Sequence, residues 1–306
     1  MTKRPDTGLT GVLCICKPQK YTSFDVIARL RGISGTRKIG HSGTLDPMAT
    51  GVLPIFFGNA AKACGLLPDT DKRYTAGVKF GLISDTQDIW GSILSENPAP
   101  LSREALEAAL PRFTGRISQL PPMYSAVQVN GQRLYDLARK GIEVERKPRE
   151  ITIAGLRLLS YDEQAREAVL DVQCSAGTYI RTLCHDLGQF LGMGAVMSSL
   201  VRTEAAGFAL DDCVTLEEAQ QAADEGRFPG LLRPVETLFR KLPAIHLSAV
   251  QARMFANGVR LDLSRVRCDR ADGLHSVYGN GAFLGLASCN LEKMELTIEK
   301  LFPQRS

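Results

Sequence analysis

Apolar and polar positions follow one another along this chain in short blocks, and the blocks predict both strands and helices. Gly11-Val12-Leu13-Cys14-Ile15-Cys16 is an unbroken apolar run of strand length, read as a buried strand that Lys17-Pro18 ends. Tyr74-Thr75-Ala76-Gly77-Val78-Lys79-Phe80 reads as another strand. Ala168, Leu170, Val172 and Cys174 alternate with polar or exposed-type positions, the pattern of a half-buried strand. The period changes after Ser175-Ala176-Gly177, which turns the chain. Ile180, Leu183, Cys184, Leu187 and Leu191 then recur at helical spacing, so a helix is expected from Tyr179 with Thr178 as its cap. Thr22 or Ser23 is placed to cap a helix from Phe24 to about Arg31, with Asp25 near its positive end. Ser102 opens an amphipathic helix through about Leu110, and Thr215-Leu216-Glu217-Glu218 is a capping box for one more. Pro121-Pro122-Met123-Tyr124-Ser125-Ala126 is expected to be extended, because Pro121 lacks an N–H and Pro122 biases its predecessor away from helix.

The texture changes near residue 240. Arg227-Phe228-Pro229-Gly230, Arg233-Pro234 and Pro243 punctuate the chain, and short strand-like pieces follow at Ser276-Val277-Tyr278, at 282–286 and at Met294-Glu295-Leu296-Thr297-Ile298. A large domain over 1–240 and a small β-rich domain over 241–306 are expected. No repeats or low-complexity tracts occur.

A chain of 306 residues can bury a sizeable core, and 44% hydrophobic with 23% charged residues is ordinary for a soluble globular protein. The longest apolar stretches, such as Val52 to Phe57, are far too short to span a bilayer. Met1 to Asp6 lead into no signal-like apolar core, so a cytoplasmic protein is expected. The eight cysteines are irregularly spaced and include no Cys-x-x-Cys, which argues against a zinc knuckle. Cys14 and Cys16 fall on one face of their strand, and the cysteines are read as small core residues kept reduced.

Net charge is only +4, yet it is uneven. Residues 1–50 hold eight Lys or Arg against three acids, and the remaining chain holds 29 basic and 30 acidic groups. Arg133, Arg139, Lys140, Arg146, Lys147 and Arg149 form a second basic group, diluted by Asp136, Glu143, Glu145 and Glu150. Basic patches suit a polyanion such as nucleic acid, although charge alone fits solvated faces equally well.

The candidate chemistry lies in one run, Lys38-Ile39-Gly40-His41-Ser42-Gly43-Thr44-Leu45-Asp46-Pro47-Met48-Ala49-Thr50-Gly51-Val52-Leu53-Pro54. It sets a single carboxylate in a loop of small residues, beside the positive N-terminal segment. Asp46-Pro47 would serve as the first residues of a helix. Alternatively Asp46 is a nucleophile or general base, which must be ionised and therefore needs a cation nearby. Arg181 is a candidate for that cation. It falls in the first turn of a helix, where the dipole disfavours positive charge, so a carboxylate or phosphate is expected to hold it. His41, His185, His246 and His275 are scattered and make no metal or triad site, and Cys184 and His185 point in different directions on their helix. No phosphate-binding glycine signature is present, and neither metal nor cofactor is expected.

The run from Gly40 to Pro54 resembles the catalytic motif of the TruB family, the bacterial tRNA pseudouridine-55 synthases. Lys72-Arg73-Tyr74, the segment from Pro121 to Ala126, Gly131-Gln132-Arg133-Leu134-Tyr135, Gly177-Thr178-Tyr179-Ile180-Arg181 and Leu200-Val201-Arg202-Thr203 resemble the family's other motifs in order. Asn257-Gly258-Val259 and Phe283-Leu284-Gly285-Leu286 are similar to its small PUA-like domain. Cys16 and Lys20 depart from it, standing where the family usually has Asp and Gly.

The resemblance implies an α+β fold: a mixed, mainly antiparallel sheet with flanking helices, plus the β-rich PUA-like domain. It implies isomerisation of a uridine in the T loop of tRNA, without a cofactor, by a monomer. Asp46 would be the nucleophile, attacking either C1′ or C6. Arg181 would pair with it, and Tyr74 would stack on the flipped base and assist proton removal from C5. His41 would fill or prop the space the base leaves. Tyr179 and Leu200 would wall the pocket, although both equally suit core positions, and Lys17 and Arg202 would contact phosphate or pocket. An RNA-guided synthase of the Cbf5/dyskerin type and a non-catalytic tRNA-folding chaperone are the competing readings.

Overall fold

The computed structural model describes residues 6–125, 127–129, 131–268 and 271–302. Ala126 of the extended segment lies outside the described residues, as do Lys3 and Arg4 of the basic stretch. The strands are β1 (Gly11–Lys17), β2 (Ile39–His41), β3 (Thr50–Phe57), β4 (Lys72–Phe80), β5 (Leu82–Ser84), β6 (Ile93–Glu96), β7 (Gly115–Gln119), β8 (Gln128–Val129), β9 (Gln132–Arg133), β10 (Arg149–Asp162), β11 (Glu167–Cys174), β12 (Ala195–Ala205) and β13 (Phe208–Ala209), then β14 (Ala244–Leu247), β15 (Leu261–Asp262), β16 (Gly273–Gly279), β17 (Ala282–Asn290) and β18 (Glu295–Leu301). The helices are α1 (Ser23–Ser34), α2 (Arg103–Ala109), α3 (Leu134–Ala138), α4 (Ile180–Phe190), α5 (Leu216–Asp224) and α6 (Ala249–Ala256).

A nine-stranded sheet runs β1-β3-β12-β4-β11-β10-β7, with β2 added to β3 and β13 to β12. Its pairs are antiparallel except β3 with β12, which meet in parallel at Thr50 and Gly51 opposite Val201 and Arg202. One face is covered by α2 and α4, packed over Ala76, Val78, Leu170, Val172 and Met197. The other end is covered by α1 and α5, which bury Val26, Ile27, Leu30, Leu216 and Ala219 on Leu13, Ile15, Leu53 and Ile55. Gly188 lets α4 approach β12 closely, since a Cβ there would stand 2.1 Å from the Ala195 nitrogen.

The second sheet, of five strands, runs β14-β16-β17-β18-β15 and packs α6 against its own core of Ile245, Phe255, Val277, Ala287 and Leu296. It is not a free appendage. Phe239 stacks on Phe283, and both share a cluster with Phe302, Val12 and Phe56 of the large sheet. The structure is α+β, with a mixed, mainly antiparallel sheet and flanking helices, as expected. Among the described residues, no helix is long and apolar enough to cross a membrane.

The caps at Thr22, Ser102 and Thr215 form as the sequence predicts, the first and last as full capping boxes. Thr178 does not cap α4. Its hydroxyl donates to the Ser175 carbonyl and closes the turn, so Tyr179 takes the cap position without a side-chain bond.

Candidate active site

The Asp46 loop joins β2 to β3, and four anchors fix it. Pro47 and Met48 form a turn closed by the Ala49 N–H on the Asp46 carbonyl at 3.1 Å, so the Asp-Pro pair starts no helix. The Leu45 N–H donates to Ser23 Oγ, at the start of α1, at 3.0 Å, and the Leu45 side chain is buried in the core. Lys17 Nζ, at the end of β1, donates to the carbonyls of Pro18, Tyr21 and Pro47 at 2.9, 2.5 and 3.1 Å. Arg202 on β12 donates from Nε to the Val52 carbonyl at 2.7 Å and from Nη2 to the Gly43 carbonyl at 3.1 Å. Gly51 makes the last anchor possible: a Cβ there would stand 2.2 Å from the Arg202 carbonyl oxygen, and its φ is +98°.

Lys17 and Arg202 are both wholly buried; Lys17 Nζ and Arg202 Nε and Nη2 turn onto backbone carbonyls, while Arg202 Nη1 finds no partner. This geometry braces a loop, and it suits neither the phosphate nor the pocket contacts expected of them, since neither side chain lines the cleft. Burial pushes the Lys17 ammonium down to about 8, while the Asp46 carboxylate works in the opposite direction.

Arg181 sits in the first turn of α4, with its side chain 7% exposed against 43% for Asp46. Its Nε lies 3.0 Å from Asp46 Oδ2, and Nη2 lies 3.5 Å from Oδ1. A second carboxylate, Asp88, stands 3.5 Å from Nη1 on the far side. The remaining donors reach the carbonyls of Thr86 at 3.2 Å and Tyr124 at 2.8 Å. Asp88 is itself held, since its Oδ1 accepts from Thr86 Oγ1 at 2.8 Å and from the Trp90 N–H at 3.1 Å. Arg181 is therefore fixed on four sides and presents one edge to Asp46.

Tyr74 on β4 is buried directly opposite Arg202 on β12, and Leu200 lies two residues back on the same strand. Burial pushes the Tyr74 phenol up to about 12, although Arg202 pulls the other way. Tyr179 is half-buried, and its backbone is gripped twice by Gln119. The Tyr179 N–H donates to Oε1 at 2.8 Å, and Nε2 donates to the Tyr179 carbonyl at 3.0 Å. His41 is half-buried with its pKa lowered by burial and by Arg202, which favours the neutral ring. These groups line a cleft of about 780 Å³, together with Lys72, Tyr124 and Tyr135. Burial, then Arg202, lowers the Lys72 ammonium, and the Tyr124 and Tyr135 rings meet edge-on at 6.4 Å. Among the described residues, no cluster of His, Cys, Asp or Glu could hold a metal ion.

The family model of the TruB pseudouridylate synthase N-terminal domain matches residues 31–180, and that of the tRNA pseudouridylate synthase B C-terminal domain matches 181–240. The chain belongs to the TruB family. It is 43% identical over 288 residues to tRNA pseudouridine synthase B of Cupriavidus metallidurans, covering 92% of this chain and 91% of that one. The Clostridium tetani protein of the same name is 40% identical over 290 residues, covering 94% and 98%. Among solved structures, a chain of a Cbf5-Nop10-Gar1 complex superimposes with a TM-score of 0.75 at 24% identity, over 95% of this TruB-family chain and 84% of the other. A chain of an H/ACA RNP bound to a substrate RNA containing 2′-deoxyuridine gives 0.74 at 23% identity, over 96% and 86%. Likeness at that identity is likeness of fold.

Asp46, Tyr74, Arg181, His41, Tyr179 and Leu200 all meet in one cleft. Sequence reasoning did not find Asp88 or Gln119 for this TruB-family site. The signal for Asp88 lay in Asp85-Thr86-Gln87-Asp88, a polar turn whose hydroxyl and carboxylate are two residues apart.

Proposed function

We propose that this chain is a tRNA pseudouridine synthase that isomerises a uridine of the T loop, position 55, with Asp46 as nucleophile. The relatives named above carry the tRNA assignment, at about two-fifths identity over most of both chains. The observation that carries the chemistry is the carboxylate of Asp46, held in a cleft by an otherwise saturated Arg181. Detaching the base leaves an electron-poor sugar carbon, and a fixed carboxylate either bonds to that carbon or adds to the ring at C6. Both routes start from the ionised form. The bond between C1′ and N1 breaks, the base turns, and C5 bonds to C1′; C5 gives up its proton and N1 gains one, so no net electrons or external groups are exchanged.

A uridine must leave its stack to reach this depth. Tyr74, Tyr179 and Leu200 supply walls for the flipped uracil, and neutral His41 flanks the entrance. Like any tyrosine, and more so with its phenol pushed up to about 12 by burial, Tyr74 keeps its proton at neutral pH. Stacking and hydrogen bonding are open to the protonated phenol, and assisting removal of the C5 proton requires it to lose that proton first. Tyr124 and Tyr135 offer further faces for loop bases. A monomer acting in the cytoplasm, the compartment that holds the substrate, completes this reading. We read 241–306 as a PUA-like RNA-binding domain and 1–240 as catalytic.

The test uses an unmodified tRNA transcript without cofactor or guide, with wild type and Asp46→Asn in parallel. Pseudouridine is mapped by carbodiimide adduct and primer-extension stop. A T-loop stop with wild type alone is expected, with at least a ~10³-fold loss of turnover in the variant and binding kept. Turnover by Asp46→Asn would remove Asp46 from its role. No stop despite bound tRNA would point to a guide requirement or a chaperone.

A further inference from the structure

Cys14 and Cys213 lie far apart in sequence, yet their Sγ atoms are 3.0 Å apart. The backbone explains the meeting. Val214 donates its N–H to the Cys14 carbonyl at 3.0 Å, and Cys16 donates to the Val214 carbonyl at 2.9 Å. Residues 213–214 thus run beside β1 as a short parallel bridge, with Ile15 opposite Val214. Arg233 adds a second tie, exchanging backbone hydrogen bonds with Val12 at 2.8 Å in each direction. The two thiols are held in register by main chain on both sides, and only about 1 Å of approach separates their contact from a bond of ~2.05 Å.

The two thiols differ in access. Cys14 is buried in the core cluster with Val12 and Phe56, while Cys213 is half-buried in a connecting segment. We propose that Cys14 and Cys213 are a redox-modification site, in which Cys213 is attacked first and Cys14 closes a reversible disulfide that staples β1 to the segment ahead of α5. The oxidant class is a low-molecular-weight disulfide. The Cys213 thiolate attacks one of its sulfurs, forms a mixed disulfide and expels one thiolate. Cys14 then gives up its proton and attacks the Cys213 sulfur, expelling the second. Two cysteines lose two electrons, and the small disulfide gains them as two thiols. The contact with Cys14, helped by Arg202 and Arg233, lowers the Cys213 pKa against burial and Asp212, which suits Cys213 as the first nucleophile.

Cross-linking across so long a loop chiefly restricts the unfolded chain. The full-length protein is incubated with oxidised glutathione and digested without reduction, and its peptides are weighed. A linked peptide joining Cys14 to Cys213 is expected, with two thiols lost and both recovered by dithiothreitol. The melting midpoint is expected to rise by about 5–10 °C in the oxidised form. Cys213→Ser is expected to remove both effects. Cys14→Ala is expected to leave glutathione trapped on Cys213. Wild type that stops at a glutathione adduct on Cys213, links Cys16 instead, or loses thiols only at sites such as Cys64 would overturn the proposal.

Discussion

The two sheets of this molecule treat charge in opposite ways. The nine-stranded sheet, with α4 packed on it, buries Lys17, Asp171, Arg181 and Arg202 among apolar side chains. The five-stranded sheet buries only His275 and Ser276 among its described polar side chains. Burying an ion is costly unless its donors find partners, and the buried cations of this region turn most of theirs onto carbonyls or carboxylates, Arg202 Nη1 being left without one. That cost falls where a loop must hold one carboxylate in place. The small sheet, with no such task within it, is held by ordinary apolar packing.

The contrast is sharpest at Arg181. Removing it leaves the half-buried Asp88 beside an empty space and Asp46 without its orienting partner, while the aromatic walls persist. Arg181→Ala is expected to lower kcat by about 10²–10³-fold while the dissociation constant for tRNA moves less than about fivefold. Single-turnover rates and filter binding separate the two. Equal losses in both would make Arg181 a phosphate contact and erase the distinction between the sheets.

On the apolar side, Phe283→Ala removes the ring on which Phe239 and Phe302 stack. A loss of about 3–4 kcal/mol of stability is expected, with kcat on saturating tRNA unchanged below the new melting point. Urea denaturation followed at both sheets tests this. Separate transitions in the wild type would show that the shared cluster does not couple them, and then removal of 241–306 would be harmless to the remainder. As it stands, that truncation uncovers Phe239, Val235 and Leu238 and is expected to cost stability as well as RNA binding.

The smallest effect concerns Asp171, gripped by Arg73 at 2.8 Å and by Arg157. Hydrogen bonding from Arg73 holds its carboxyl down at about 2, with Arg157 adding to it. A carboxylate depressed in the folded state stabilises above its unfolded pKa of about 3.9 and ceases to do so as pH falls through the folded value. Wild type is expected to lose roughly 1–2 kcal/mol between pH 4 and pH 2 that Asp171→Asn lacks. Parallel acid-denaturation curves for the two proteins would remove Asp171 from the charges that matter.

Much of the fold and of the site is legible in the order of residues. The caps at Thr22, Ser102 and Thr215 can be read there because a cap needs only residues three apart. Asp46 stands out because so many small residues surround it, and Arg181 because its helix position is electrostatically wrong without a partner. Lys17 and Arg202 suggest outward contacts because sequence reports a charge but not which way it faces. Their true partners are carbonyls, which every residue owns and which leave no mark in composition. Asp88 escapes for a related reason: it meets Arg181 across distant segments, and its own neighbours suggest only a turn.

The parallel pairing of β3 with β12 in the large sheet has a consequence for the newborn protein. Val52 and Arg202, joined there, are 150 residues apart. At roughly 5–20 residues per second, about 8–30 seconds of translation pass between their emergence. Throughout that interval the Asp46 loop exists without its Arg202 anchor, and Arg181 has only just appeared by the end. A half-made chain therefore cannot present the finished cleft, and the ribosome releases an enzyme whose competence arrives near the last third of its synthesis.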